Sequence, residues 1–407
     1  MASRIGPVRA ALIAACCLAA VACGGGGGGG GISPPPPPPP ANNVVSVIVD
    51  GGPSNQSVNT LFTSVTVCVP GSTSSCQTID HIQVDTGSYG LRFLAPVLTV
   101  TLPVETLSSG NSLVQCAQFV DGYSWGPIAL ADVQIAGETA KSLPVQVIGD
   151  SRFATVPAAC SGTGTAEDTV ASFGANGILG IGPFELDCGD CDTTTNGLYF
   201  ACATATTCTD TTVPNAMQVP NPVTHFAADN NGSMIDLPAV AAGGAVTLSG
   251  SLIFGIDTQS NNQSGTETVL TVDGSGELVM TFNGQTLANS FVDSGSNGIY
   301  FADSNIATCT ATGLTSFYCP GNTLTLGLSM QGQNGVMVNN LTFGVGNTQT
   351  MLNANPTFNV FPQLAGKLPA GHAGTFDYGL AFFYGKRVAV AVEGNTTSVG
   401  TGPYIAF

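Results

Sequence analysis

Two segments of this chain are nearly the same eleven residues, and each carries a carboxylate. Gln83 to Phe93 reads QVDTGSYGLRF, and Phe291 to Phe301 reads FVDSGSNGIYF, an offset of 208 positions. Val, Asp, Gly, Ser, Gly and Phe recur identically, while Thr is exchanged for Ser and Leu for Ile. A repeat that keeps an acid, a hydroxyl and glycines inside a β-rich pattern predicts two similar lobes, each donating one Asp. Paired carboxylates from duplicated halves are a way to build an acid–base pair. The glycines permit tight loops that turn backbone N–H groups toward the acid.

The stretches around the repeat read as strands. VVSVIVD from Val44, LFTSVTVCV, IDHIQVD, IALADVQIAG and LPVQVIG alternate or run apolar between Gly, Pro and Ser turns. No long amphipathic helix is evident. A first β lobe is expected over 44–185 and a second over 246–407, with YIAF as a last strand tying the chain end into a sheet. Between them, 186–245 holds four cysteines and Thr-rich pieces, and reads as a disulfide-tied insertion or connector.

The first residues read as an export signal. Arg4 and Arg9 precede the small apolar run Ala10 to Ala22, which is too short for a comfortable membrane span. Ala-Val-Ala-Cys at 20–23 resembles a bacterial lipobox, with Cys16 as the competing site. This assigns 1–22 to a signal peptide and Cys23 to lipidation. Eight glycines and seven prolines then make 23–43 a tether. The expected address is the bacterial cell envelope, as an outer-membrane lipoprotein facing the periplasm or exterior; an ordinary secreted protein is the alternative. Ten cysteines remain beyond Cys23, an even number. Short spacings such as Cys68/Cys76 and Cys309/Cys319 point to stapled loops in an oxidising compartment. Cys188, Cys191, Cys202 and Cys208 read as disulfides of open pairing, with a four-thiolate zinc site as the alternative.

Charge excludes one class of partner. Eight Lys plus Arg stand against 25 Asp plus Glu, a formal −17. Such a surface repels nucleic acid and anionic headgroups. His81, His225 and His372 form no metal-ligand or triad spacing, and no phosphate-cradling loop is present.

The ordered landmarks resemble the pepsin-like aspartic peptidases over most of 44–407. Asp85-Thr86-Gly87-Ser88 and Asp293-Ser294-Gly295-Ser296 are similar to the two catalytic loops. Phe119 to Gly137 is similar to the flap hairpin, Asn176 to Gly182 to the segment supporting the first loop, and Leu252 to Asp257 to the opening of the second lobe. Gly379 to Phe383 is similar to the short helix after the second supporting segment. The chain also resembles a bacterial lipoprotein family described only as a domain of unknown function. The resemblance implies an all-β, bilobal fold with two similar barrel-like lobes and a cleft between them. It implies that Thr86 and Ser294 cross-link the loops, and that Ser88 and Ser296 orient Asp85 and Asp293. One Asp would serve as base on a water and the other as acid toward a scissile carbonyl, with no metal or cofactor.

The pattern departs from that family at three places. Phe119 stands where the flap usually has Tyr, with Tyr123 and Trp125 nearby as substitutes, since the Trp N–H is a donor. Arg92 stands where a Trp often follows the first loop. Asp377-Tyr378-Gly379 stands where two apolar residues precede Gly, and a buried Asp there needs partners. The functional expectation is an aspartic endopeptidase acting on extended peptide or protein substrates as a monomer. The alternative is a catalytically weak or inert lipoprotein that binds peptide or another envelope polymer in the same cleft.

Overall fold

The computed structural model describes residues 41–120, 122–369, 371–372 and 374–407. The expected signal segment, Cys23 and nearly all of the tether lie outside the described residues. Within them the chain is mostly β and forms two barrel-like lobes, the bilobal architecture anticipated from the repeat. The longest helix among the described residues, Thr348–Ala354, has seven residues. No helix there is long and apolar enough to cross a membrane.

Each copy of the repeat builds the same three-strand crossing. Cys76–Asp85 runs parallel to Gly177–Ile181, with Asp85 beside Gly180, and Tyr89–Leu94 returns antiparallel along the same strand. Gln285–Val292 runs parallel to Asp377–Tyr378, with Val292 beside Tyr378, and Ile299–Tyr300 returns antiparallel along it. A strand inserted between two others is covered on every side, so Gly177–Ile181 is the unbroken buried run GILGI. Gly180 and Gly379 hold matching places. A Cβ on Gly180 would lie 2.6 Å from the Tyr89 amide nitrogen, and one on Gly379 2.2 Å from the Gly298 carbonyl. Close passage of the loop over the inserted strand thus requires glycine in both lobes.

A shared sheet joins the lobes. Val44–Val49 pairs with Leu248–Phe254, which pairs with Gly232–Leu237, then Lys386–Ala391 and finally Tyr404–Ala406. YIAF is therefore a last strand, as its pattern implied. Gly232–Leu237, inside the stretch read as a connector, is a strand of this joining sheet. The earlier part of that stretch docks on the first lobe, where Tyr199–Thr204 extends Ser112–Gln118.

The two cores differ in kind. Val65, Val67, Ile82, Val84, Leu91 and Leu179 fill the first with branched aliphatics. The second is organised by rings, with Phe301 stacked on Phe376 at 5.2 Å and Phe343 edge-on to both. Such ring pairs add to what area burial alone supplies.

All ten cysteines beyond Cys23 are paired: Cys68–Cys76, Cys116–Cys160, Cys188–Cys191, Cys202–Cys208 and Cys309–Cys319. The four cysteines weighed as zinc ligands are bonded in two pairs. Cys116–Cys160 closes the longest loop, tying the hairpin strand Ser112–Gln118 to the short helix Ala158–Ser161. Chain entropy assigns that closure about 4 kcal/mol, and about 2 kcal/mol to the short Cys188–Cys191 loop. A Cys116→Ala/Cys160→Ala protein is expected to unfold at clearly lower denaturant than a Cys188→Ala/Cys191→Ala protein, as read by paired denaturant titrations.

Candidate active site

Asp85 ends one strand and Asp293 follows another, so both acids stand at the start of a tight loop beneath which the two lobes meet. In the first loop the Gly87 N–H donates to Asp85 Oδ1 at 2.7 Å and Ser88 Oγ to Oδ2 at 2.5 Å. In the second, the Gly295 N–H donates to Asp293 Oδ1 at 2.7 Å, and Ser296 Oγ lies 3.0 Å from Oδ2. The loops lock reciprocally. The Thr86 N–H donates to Ser294 Oγ at 3.1 Å and the Ser294 N–H to Thr86 Oγ1 at 2.9 Å, while Ser294 Oγ donates to the Val84 carbonyl at 2.9 Å. Each glycine also faces the other lobe's acid. A Cβ on Gly87 would lie 2.6 Å from Asp293 Cγ, and one on Gly295 2.5 Å from Asp85 Oδ1.

The two carboxyl groups are buried and lie against the same glycine, Gly295, close enough to act on one another. Burial, then the charge of Asp293, raises Asp85 from its ordinary 3.8 to about 7. Burial works against ionisation of Asp293 as well, but hydrogen bonds from Asp85 and from the Gly295 N–H favour its charged form. Two acids held this close retain one proton between them near neutrality. The arrangement can accept a proton at one carboxylate while donating one from the other.

Cross-lobe ties hold this geometry, and sequence reading did not find them. Gln83 Nε2 donates to the Gly295 carbonyl at 2.8 Å. Asn59, fully buried, donates to the carbonyls of Asn297 and Phe361 at 2.9 and 2.8 Å. Its Oδ1 accepts from the Phe361 N–H and the Tyr384 hydroxyl at 2.7 and 2.9 Å. A small amide that uses all of this capacity without solvent fixes the second loop from the first lobe. Gln83 is the position where the repeat changes from Gln to Phe, which is the one sequence signal for its special role.

Two of the three hairpin residues are buried within the lobe. Phe119 sits at the turn between Ser112–Gln118 and Gly122–Ile135, packed edge-on to Phe173. Tyr123 and Trp125 are buried with Phe153, Phe200 and the Cys116–Cys160 bridge. Trp125 Nε1 donates to the Phe153 carbonyl at 2.7 Å. That bond corrects the expectation that Trp125 replaces the missing phenolic donor, because its one N–H is already used inside the lobe.

Arg92 is also accounted for. Its guanidinium donates to Asp187 Oδ2 at 2.9 Å and to the Tyr89 carbonyl at 2.5 Å, and Tyr199 hydroxyl donates to Asp187 Oδ1 at 2.6 Å. The cation is thus neutralised where 186–245 docks, and does not act as a free charge on the acid pair. Asp377 is buried, with Oδ2 at 2.6 Å from Ser296 Oγ.

Comparison with known proteins gives a family. Residues 39–407 match the family described as "Protein of unknown function (DUF3443)". The chain belongs to this family. No curated protein matches it. Among solved structures, this DUF3443 chain is similar to the crystal structure of aspartic proteinase from Irpex lacteus. The identity is 16% and the TM-score 0.48, over 89% of this chain and 96% of that one.

The raised Asp85 carboxyl ties stability to pH. The folded state holds its proton up to about pH 7, whereas the unfolded chain releases it near 3.8. This group's contribution is therefore complete below about pH 4 and is lost as pH climbs through about 7. Thermal unfolding midpoints are expected to fall over that window in the parent, and to fall less in Asp85→Asn.

Proposed function

We propose that the protein is an aspartic-type endopeptidase that hydrolyses extended peptides with the Asp85/Asp293 pair. The observation that carries this reading is the juxtaposition of two buried carboxyls across reciprocally bonded loops, each fixed by the same glycine N–H and serine hydroxyl of a repeated loop. The charged member takes a proton from a bound water as that water attacks the peptide carbonyl. The protonated member donates to the carbonyl oxygen, and the resulting diol collapses as the amine leaves with a proton. Thr86, Gly87, Ser88, Ser294, Gly295 and Ser296 support the pair, and Phe119 covers the substrate from the hairpin turn.

One observation favours a second reading. The hairpin turn supplies a phenyl ring in place of a phenol, and the Trp125 N–H is bonded within the lobe. A weak or inert binder of peptide or another polymer fits that feature.

Export and anchoring belong to the same proposal and rest on sequence alone. Residues 1–22 are removed as a signal peptide, Cys23 carries lipid, and the protein works as a monomer in a bacterial envelope. Labelling with a fatty-acid analogue is expected to mark the parent and to be lost in Cys23→Ser.

The decisive assay exposes the body from Asn42 onward, with disulfides formed, to a diverse peptide library from about pH 3 to 8. Cleavage is expected to weaken above about pH 7, where Asp85 gives up its proton. It should drop about a thousandfold or more in Asp85→Asn and in Asp293→Asn. A parent that cleaves nothing, yet retains bound peptides, would establish the second reading.

A further inference from the structure

The duplicated lobes provide an internal comparison for one unusual acid. In the first lobe Ile178 stands two residues before Gly180, on the strand inserted beside Asp85. In the second lobe Asp377 stands two residues before Gly379, on the strand inserted beside Asp293. The matching pairings make the two positions equivalent, so the carboxyl occupies an isoleucine's place. It is 3% exposed. Its Oδ1 has no hydrogen-bond partner among the described residues.

Ser296 connects this acid to the pair. Its Oγ lies 2.6 Å from Asp377 Oδ2 and 3.0 Å from Asp293 Oδ2. A hydroxyl has one hydrogen to give, so it cannot donate to both carboxylates. Were both charged, one would lack that donor, two negative charges would flank a single oxygen, and the buried Asp377 Oδ1 would be an unsolvated charge. A proton on Asp377 Oδ2 removes all three penalties. Asp377 then donates to Ser296 Oγ, and Ser296 donates onward to Asp293 Oδ2. In the first lobe Ser88 Oγ donates to Asp85 Oδ2, and Ile178 stands where the second lobe has Asp377.

We propose that Asp377 is a positioning residue, a buried neutral acid that directs the Ser296 hydroxyl onto Asp293, so that Asp293 is the charged base and Asp85 keeps the shared proton. The proposal rests on reading Asp85 and Asp293 as the catalytic pair. Burial, then the Asp293 charge, holds Asp377 well above the usual carboxylate range, which agrees with a proton residing there. The titratable groups of the described residues that act on it are Asp293 and Asp85. On the neighbouring return strand, the Tyr300 hydroxyl is bonded to Asn297. When pH rises far enough to ionise Asp377, the Ser296 hydrogen turns toward it. Asp293 then loses a donor and gains a like charge, so the pair should fail.

The test follows the three carboxyl carbons by NMR in the folded protein labelled at Asp, with Asp→Asn variants for assignment. The Asp377 resonance is expected to report a protonated acid through pH 7, with Asp85 titrating near 7 and Asp293 charged below it. In Asp377→Ile, which copies the other lobe, Asp85 and Asp293 should titrate together. In Asp377→Asn, whose amide can donate to Ser296, the parent order should persist. Asn thus decides the matter if the Ile variant does not fold.

An ionised Asp377 at pH 6, or an Asp85/Asp293 order unchanged in Asp377→Ile, would overturn the proposal whether or not any peptide is cut. If cleavage is seen, the alkaline limb of log kcat/KM should steepen toward a slope of about −2 in the parent, for two proton losses, and stay near −1 in Asp377→Asn. The expected resonances without cleavage would instead defeat the peptidase reading and leave the protonated Asp377 standing.

Discussion

The reciprocal bonding of the Thr86 and Ser294 loops is the constraint on which the rest of the structure depends. Each loop reaches into the other lobe for a hydrogen-bond partner, and each glycine makes room for the opposite acid. Neither acid therefore has its environment within one lobe. Burial, the donor set and the proximity that raises Asp85 are all products of the lobe-to-lobe fit. Small displacements between lobes would be felt first at the carboxyls, because close-packed interiors do not absorb misfit gradually.

That fit is reinforced by polar residues beside an apolar cluster continuous through both lobes. Asn59 and Gln83 cross the divide with bonds to backbone atoms of the loops or their neighbours, and Asn59 also accepts from the Tyr384 hydroxyl. Fully satisfied buried amides give orientation that aliphatic contacts cannot supply. Arg92 and Asp187 do similar work on the outer side of the first lobe, docking the cysteine-rich stretch. In a chain with so few cations, one of them is placed in the interior, where burial of Asp187 outweighs the attraction of Arg92 and holds that carboxyl above its ordinary value.

Much of this was legible in the sequence because the repeat is short-range and chemically dense. Eleven residues with fixed acid, hydroxyl and glycine positions gave the two lobes and both loops. Alternation within LFTSVTVCV gave a half-buried strand, and there Ser64 is exposed between the buried Thr63 and Val65. The contributions of Asn59 and Gln83 were not legible, since an isolated amide carries no mark of a partner more than two hundred residues away. The use of the Trp125 N–H depended on where the Phe153 carbonyl would lie, which no local pattern states. Gly232–Leu237 was hidden by its setting, a short strand placed after Thr- and Asn-rich turns. Asp377 was visible as a departure, but only the paired register of both lobes gave it a meaning.

The joining sheet carries a consequence for biosynthesis. Its strands come from both ends of the folded body, Val44–Val49 and Tyr404–Ala406, with the later strands filling the interval. A growing chain could close the first crossing, which uses Gly177–Ile181, well before the second, which uses Asp377–Tyr378. A product cut short before Asp377 would carry both loop sequences and still lack the strand beside Asp293.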